Sequence, residues 1–191
     1  MSEELAPGAV RGPQLDKGQW PTFFDYQKNA EGETLFSAKS GFRFVNRVPA
    51  AHLDRGAAQS IAANTETIVL WDVDLFDNWS AYGLHTGVYT VPLDGIYLLT
   101  ASVQWAANTW AVGNALSLWI KNLTKNLYLA GNYQTVVNAS SYAYGASVTI
   151  CAPLYKNEKV CVSVKQTNAA ARSLAGDATF NSFGISKIGD L

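Results

Sequence analysis

The densest set of candidate ligands in the chain is Trp71-Asp72-Val73-Asp74-Leu75-Phe76-Asp77, where three carboxylates fall in one short segment. Calcium takes six or more oxygen ligands, and the helix-loop-helix calcium pattern fails here because Phe76 holds its fifth position with no glycine at the sixth. The segment reads as a solvated loop with turn-type hydrogen bonds, and a cation near Asp72, Asp74 and Asp77 stays an open alternative. His52 and His85 are the only histidines. Nucleophilic catalysis needs a histidine in reach of a serine or cysteine and an orienting acid, and His85 near Asp77 and Ser80 is too common a coincidence to mark a triad. Asp94, Glu158 and Asp177 stand singly near turns rather than as the facing pair a glycosidase needs, and the chain has no phosphate-binding glycine loop. No catalytic residue, metal site or cofactor is expected.

The two cysteines, Cys151 and Cys161, carry the remaining reactive chemistry. Residues 144–151 and 159–166 flank the turn Leu154-Tyr-Lys-Asn-Glu158 and read as a hairpin. That arrangement places both thiols on its polar face, where a cross-strand disulfide is geometrically conceivable. In a reducing compartment two free thiols are the expectation. Asn78-Trp-Ser, Asn122-Leu-Thr and Asn138-Ala-Ser match the glycosylation pattern but are read as coincidental, since MSEELAPGAVRG has neither a basic nor an apolar leader region. The chain is accordingly expected to be made in the cytosol.

The elements that must position these groups are strands. In Gly87–Trp105, GVYTVPLDGIYLLTASVQW, Val88 to Val91 suit a pleated surface and Pro92 ends the ladder. Pro92-Leu-Asp94-Gly95 forms a turn in which Asp94 is expected to bond its own backbone and Gly95 to take positive φ. From Ile96 the chain alternates, with Tyr97, Leu99, Ala101, Val103 and Trp105 on the buried face and Ile96, Leu98, Thr100, Ser102 and Gln104 on the other. That second face begins apolar and ends polar, as if its first half were covered by another subunit. Strands are expected at 57–61, 65–72, 87–91, 95–106, 114–121, 126–131, 144–151, 159–166 and 179–187, with no amphipathic helix, so the class is all-β.

Residues 1–50 differ. Pro7, Gly8, Gly12, Pro13, Gly18, Pro21, Gly32, Gly41 and Pro49 interrupt any ladder or helix, yet Trp20, Phe23, Phe24, Tyr26, Phe36, Phe42 and Phe44 need a surface to cover them. This segment reads as an extended arm anchoring the chain to a neighbouring subunit or larger assembly, with packing on its own domain as the alternative. Residues 51–191 form the domain. Only 15% of residues are charged against 48% hydrophobic, so partners are expected to cover part of the surface. With a formal net charge of −1 and no basic run, nucleic acid is excluded as a partner. No apolar run is long enough to insert in a membrane as a helix.

Three segments together carry a family likeness. Ala57-Ala-Gln-Ser-Ile61 with Asn64-Thr-Glu-Thr-Ile68-Val-Leu-Trp71-Asp72 opens it. Tyr89-Thr-Val-Pro92-Leu-Asp-Gly95-Ile-Tyr97, preceded by Phe76-Asp77 and Gly83, forms its centre, and Ala178-Thr-Phe180-Asn-Ser-Phe183-Gly-Ile185 closes it. In this order the segments resemble the C1q/TNF-like trimeric jelly-roll family, in the form found in bacteriophage virion proteins. The closing strand departs from the family pattern, with Gly184 following the aromatic Phe183. The resemblance does not reach residues 1–50. It implies a ten-stranded, two-sheet jelly-roll sandwich that associates as a homotrimer with apolar faces at the axis, Ile96 and Leu98 among them.

It also implies a display or binding head rather than an enzyme. The expected role is a virion structural protein, a tail-fibre, tail-tip, head-fibre or decoration protein made in the host cytoplasm, whose arm meets other virion proteins of capsid or tail. The alternatives are a host-receptor protein binding a surface glycan and a jelly-roll enzyme degrading polysaccharide. For recognition, the loop Ala106–Gly113 with Trp110 comes first and Val136–Tyr144 with Tyr142 and Tyr144 second, on the strength of their aromatic and small polar residues.

Overall fold

The computed structural model of the protein describes residues 48–191 and, before them, two short strands, Phe36–Ser37 (β1) and Arg43–Phe44 (β2), paired antiparallel. The chain divides into Met1–Arg47 and Val48–Leu191. Trp20, Phe23, Phe24 and Tyr26, the expected anchoring residues, lie outside the described residues.

The second unit is built from β3 (Ala50–Asp54), β4 (Gln59–Ile61), β5 (Thr67–Ile68), β6 (Val73–Asp77), β7 (Tyr82–Gly83), β8 (Val88–Thr90) and β9 (Gly95–Trp105). It continues through β10 (Ala115–Asn122), β11 (Leu127–Thr135), β12 (Tyr144–Leu154), β13 (Lys159–Gln166), β14 (Arg172–Leu174) and β15 (Ser182–Gly189). One sheet runs β12-β9-β15-β3-β6, and the β14–β4 pair joins β9 where Leu174 faces Trp105. The other runs β11-β10-β13-β8-β7, with β5 against a second stretch of β13. The expected all-β, two-sheet jelly-roll sandwich is what forms.

Alternation explains why the sheets face each other as they do. Tyr97, Leu99, Ala101, Val103 and Trp105 of β9 are each 3% exposed or less, and they meet Leu116, Leu118 and Ile120 of β10 and Val160, Val162 and Val164 of β13 in one core. Trp71 stacks on Phe183 with ring centroids 6.2 Å apart. Each such side chain contributes about 1.5–3 kcal/mol on burial, so the core is the main term holding the sheets together.

The Pro92–Gly95 turn is held differently from the sequence expectation. Asp94 accepts from the backbone N–H of Lys156 at 2.6 Å and so ties two turns together instead of capping its own. Gly95 does not adopt positive φ. It is required because a Cβ there would lie 2.7 Å from the carbonyl oxygen of Gly189. The buried Tyr97 hydroxyl donates to the Leu93 carbonyl at 2.7 Å and closes the turn from beneath.

Six strands fall outside the expected set, the short β1 and β2 and then β3, β6, β7 and β14, while the expected strand 65–72 forms a ladder only at Thr67–Ile68. Beyond Ile68 the bonding is mixed: Val69 and Asp72 N–H donate to the Val162 and Asp54 carbonyls, while Leu70 N–H donates to Gln59 Oε1 and Trp71 N–H to the Tyr82 hydroxyl. The expected hairpin does not form. β12 pairs with β9 and β13 with β10, so the two strands lie in different sheets and Cys151 and Cys161 are free thiols. Greek-key connections of a sandwich carry successive strands across the core, and the Tyr155–Glu158 segment is such a crossing.

At one end of the sandwich a buried carboxylate ties together the segments that follow β10 and precede β13. Glu158 accepts from Asn122 Nδ2 at 2.7 Å and pairs with Lys125 Nζ at 2.5 Å. Burial opposes its charge, but the hydrogen bonds from Lys125, Asn122 and the backbone outweigh burial and hold it below the ordinary carboxylate value of 4.5. Glu66, bonded to Tyr128, Ser163 and Lys121, is lowered for the same reasons. A carboxylate lowered in the folded state stabilises above its unfolded pKa, and that contribution is lost as pH falls through the folded value. Thermal stability should therefore drop below about pH 4.5. Glu158→Ala should cost about 1–3 kcal/mol at pH 7 by urea titration and flatten the acid limb of the stability profile. An unchanged acid limb would show that Glu158 does not carry it.

Candidate functional site

Two of the three clustered carboxylates are structural. Asp72 accepts from the backbone N–H groups of Gly56 and Ala57 at 2.6 and 3.0 Å. Asp77 accepts from Trp79 and Tyr82 N–H at 3.2 and 2.8 Å, and Asp74 stands exposed on β6. Among the described residues no group of three His, Cys, Asp or Glu side chains converges as metal ligands. His52 bonds Asp54 at 3.1 Å and lies near Phe76, while His85 is exposed in the loop before β8. Cys161 is buried, which pushes its thiol up to about 11, and Cys151 is exposed on β12.

The expected recognition loops are brought together, but not as tips that offer Trp110. Trp110 and Ser140 exchange backbone hydrogen bonds at 2.8 and 3.2 Å, and Gly113 and Asn114 bond Val136. This pairing folds residues 106–114 back over the end of the sandwich and turns the Trp110 ring inward. The ring is fully buried, edge-on to Trp105 and to Tyr144 at centroid distances of 5.9 Å. Arg172 covers its other side at 5.7 Å and donates to the Thr109 carbonyl. Trp110 is therefore a keystone and not a contact residue, which corrects its assignment to a recognition surface. Tyr144 is half-buried beside it with its hydroxyl 2.7 Å from Ser140 Oγ. Of the residues named for recognition only Tyr142 is open to solvent; Val137 on its own loop and Val112 on the other are exposed as well.

The outer face of the β9 sheet is the surface with the least local explanation. Outward positions of β9 and β12 are Ile96, Leu98, Thr100, Ser102 and Gln104 opposite Pro153, Cys151, Thr149, Ser147 and Gly145. None is charged. Ile96 is 37% exposed and Ile188, in the bulge of β15, is 56% exposed, so the apolar side chains gather at the turn end. Towards the loop end the face becomes hydroxyl and amide. The edge of β12 is capped by side chains: Asn132 Nδ2 donates to Ser147 O and Gln134 Nε2 to Gly145 O. Sequence periodicity located Ile96 and Leu98 on this face; the contribution of β12 and Ile188 came only with the strand order.

If Trp110 is a keystone, Trp110→Ala should cost about 3–5 kcal/mol of stability, whereas Tyr142→Ala should be neutral within about 0.5 kcal/mol. Denaturant melts of the two variants separate the roles, and a Trp110→Ala protein as stable as the parent would refute the assignment.

No family model and no curated protein matches the chain. Solved structures do. The globular domain of the zebrafish complement 1qA protein is 17% identical over 75% of this chain and 99% of its own, with a TM-score of 0.55. The Eiger TNF of S. frugiperda is 15% identical over 75% and 94%, at 0.56. Murine APRIL at pH 8.5 is 14% identical over 73% and 98%, at 0.54. At such identities the likeness is one of fold, and the Val48–Leu191 unit has the C1q/TNF-like jelly-roll fold.

Proposed function

We propose that the chain is a non-enzymatic, homotrimeric display protein of a bacteriophage particle, with residues 1–50 as the arm that anchors it to capsid or tail proteins. One observation carries the trimer: at its turn end the outward face of β9 and β12 is uncharged and presents Ile96, Leu98, Cys151 and Pro153, with the exposed Ile188 of β15 near that end. Such a face lets another copy approach closely and leaves apolar area to bury. The likeness of fold to the complement and TNF proteins supports this reading. The role in a particle rests on the sequence resemblance and on the aromatic arm. Three linked heads would turn weak individual contacts into avidity.

Leu98→Asp should convert a trimer into a folded monomer by light scattering, because three carboxylates would meet at the apolar contact. Cys151, opposite Leu98, should be slow to react with a thiol reagent in the parent trimer and fast in the Leu98→Asp monomer. A parent protein that is monomeric, or a Cys151 equally reactive in both, would sink the trimer. For the anchor, deletion of residues 1–45 should leave a soluble trimer that no longer joins particles, and its continued incorporation would remove the arm's role.

A further inference from the structure

At the loop end of the same sheet lies an open groove of about 320 Å³, at the small end of the range of about 300–1,000 Å³ typical of ligand sites. Gln104, Asn132, Gln134, Ser147, Thr179 and Phe180 line it, and no charged side chain does. The amides of Asn132 and Gln134 spend one N–H each on the β12 carbonyls. Their amide oxygens, the Gln104 amide and the hydroxyls of Ser147 and Thr179 take no partner within the chain among the described residues. Phe180 stands on the rim 49% exposed.

The walls are held in place. Asn181 is fully buried, accepts from Gln104 N–H at 2.8 Å and donates to the carbonyls of Ala175 and Asp177. Asp177 in turn caps Thr179 N–H at 2.8 Å. The loop carrying Thr179 and Phe180 is thereby pinned to β9, so little ordering cost remains on binding. Gly145 leaves the middle of the groove clear, since a Cβ there would have no neighbour nearer than 3.9 Å.

We infer that this groove is a binding site for a neutral saccharide, one per chain. A pyranose offers a rim of hydroxyls that both donate and accept and a face of C–H groups. Amides and hydroxyls without internal partners match the rim, and one exposed aromatic ring matches the face. Phosphorylated or carboxylated ligands would find no cation in the lining. The inference does not rest on the trimer, because a single chain builds the whole groove. Gln104 lies six residues along β9 from Leu98, roughly 20 Å at about 3.3 Å per residue, so the apolar contact and the groove occupy opposite ends of the strand.

The test uses the full chain, with its assembly state checked separately by light scattering. Methyl glycosides of glucose, galactose and N-acetylglucosamine are examined by saturation-transfer NMR, alongside an array of neutral, sialylated and sulfated oligosaccharides. At least one neutral saccharide should bind, and Phe180→Ala should weaken it about tenfold or more, the equivalent of about 1.4 kcal/mol. Ser147→Phe, which fills the groove without touching the core, should abolish it. The inference is overturned if no neutral saccharide binds, if the anionic sugars bind as well as the neutral ones, or if binding survives Ser147→Phe unchanged.

Discussion

Strand β9 is hydrogen-bonded on both sides along most of its length, to β12 from Gly95 to Trp105 and to β15 from Ile96 to Ser102. Its strict alternation places five core side chains on one face and the uncharged surface on the other. A slip of one residue in either ladder would exchange these faces, putting Tyr97 and Trp105 into water. The register of this strand is thus the constraint on which the core, the outer face and the groove all depend. Gly95, pressed against the Gly189 backbone, and Tyr97, bonded to the Leu93 carbonyl, fix where that register starts.

How much of this is legible in the sequence follows from how local the information is. β9, β10 and β13 were readable because alternation of apolar residues reports burial without reference to any other segment. β3 and β6 were not, since His52, Asp54, Asp74 and Asp77 look like loop residues; their partners are supplied by β15 and by one another. The cysteine hairpin does not form because strands adjacent in the chain need not be adjacent in a sheet, and a sandwich separates them at its crossings. Trp110 failed for a related reason. A tryptophan in a polar loop suggests a contact, but the Ser140 backbone bonds that turn it inward belong to a segment some thirty residues away. The groove draws on four separate stretches of chain, and no pattern in any one of them announces it.

The outer face joins two chemistries on one surface. Near the turn, isoleucine, leucine and proline favour association with another apolar face; near the loops, amides and hydroxyls keep their hydration until a polar ligand replaces it. The division follows the length of β9 itself, whose outward residues pass from Ile96 to Gln104 without a charge. A sheet that assembled along its full length would bury unpaired amides at a cost of about 1–3 kcal/mol each, so contact concentrated at the apolar end is the cheaper arrangement.

The capped edge of β12 bears on how many copies can be crowded together. Sheet proteins packed at high local concentration tend to coalesce by adding strand to strand, and an open edge is the template for that reaction. Here the carbonyls of Gly145 and Ser147 already receive side-chain donors, and Pro153 has no N–H to offer. The β12 edge is thereby blunted against strand addition while the face beside it remains open. Copies held at high local concentration are therefore less prone to join through this edge.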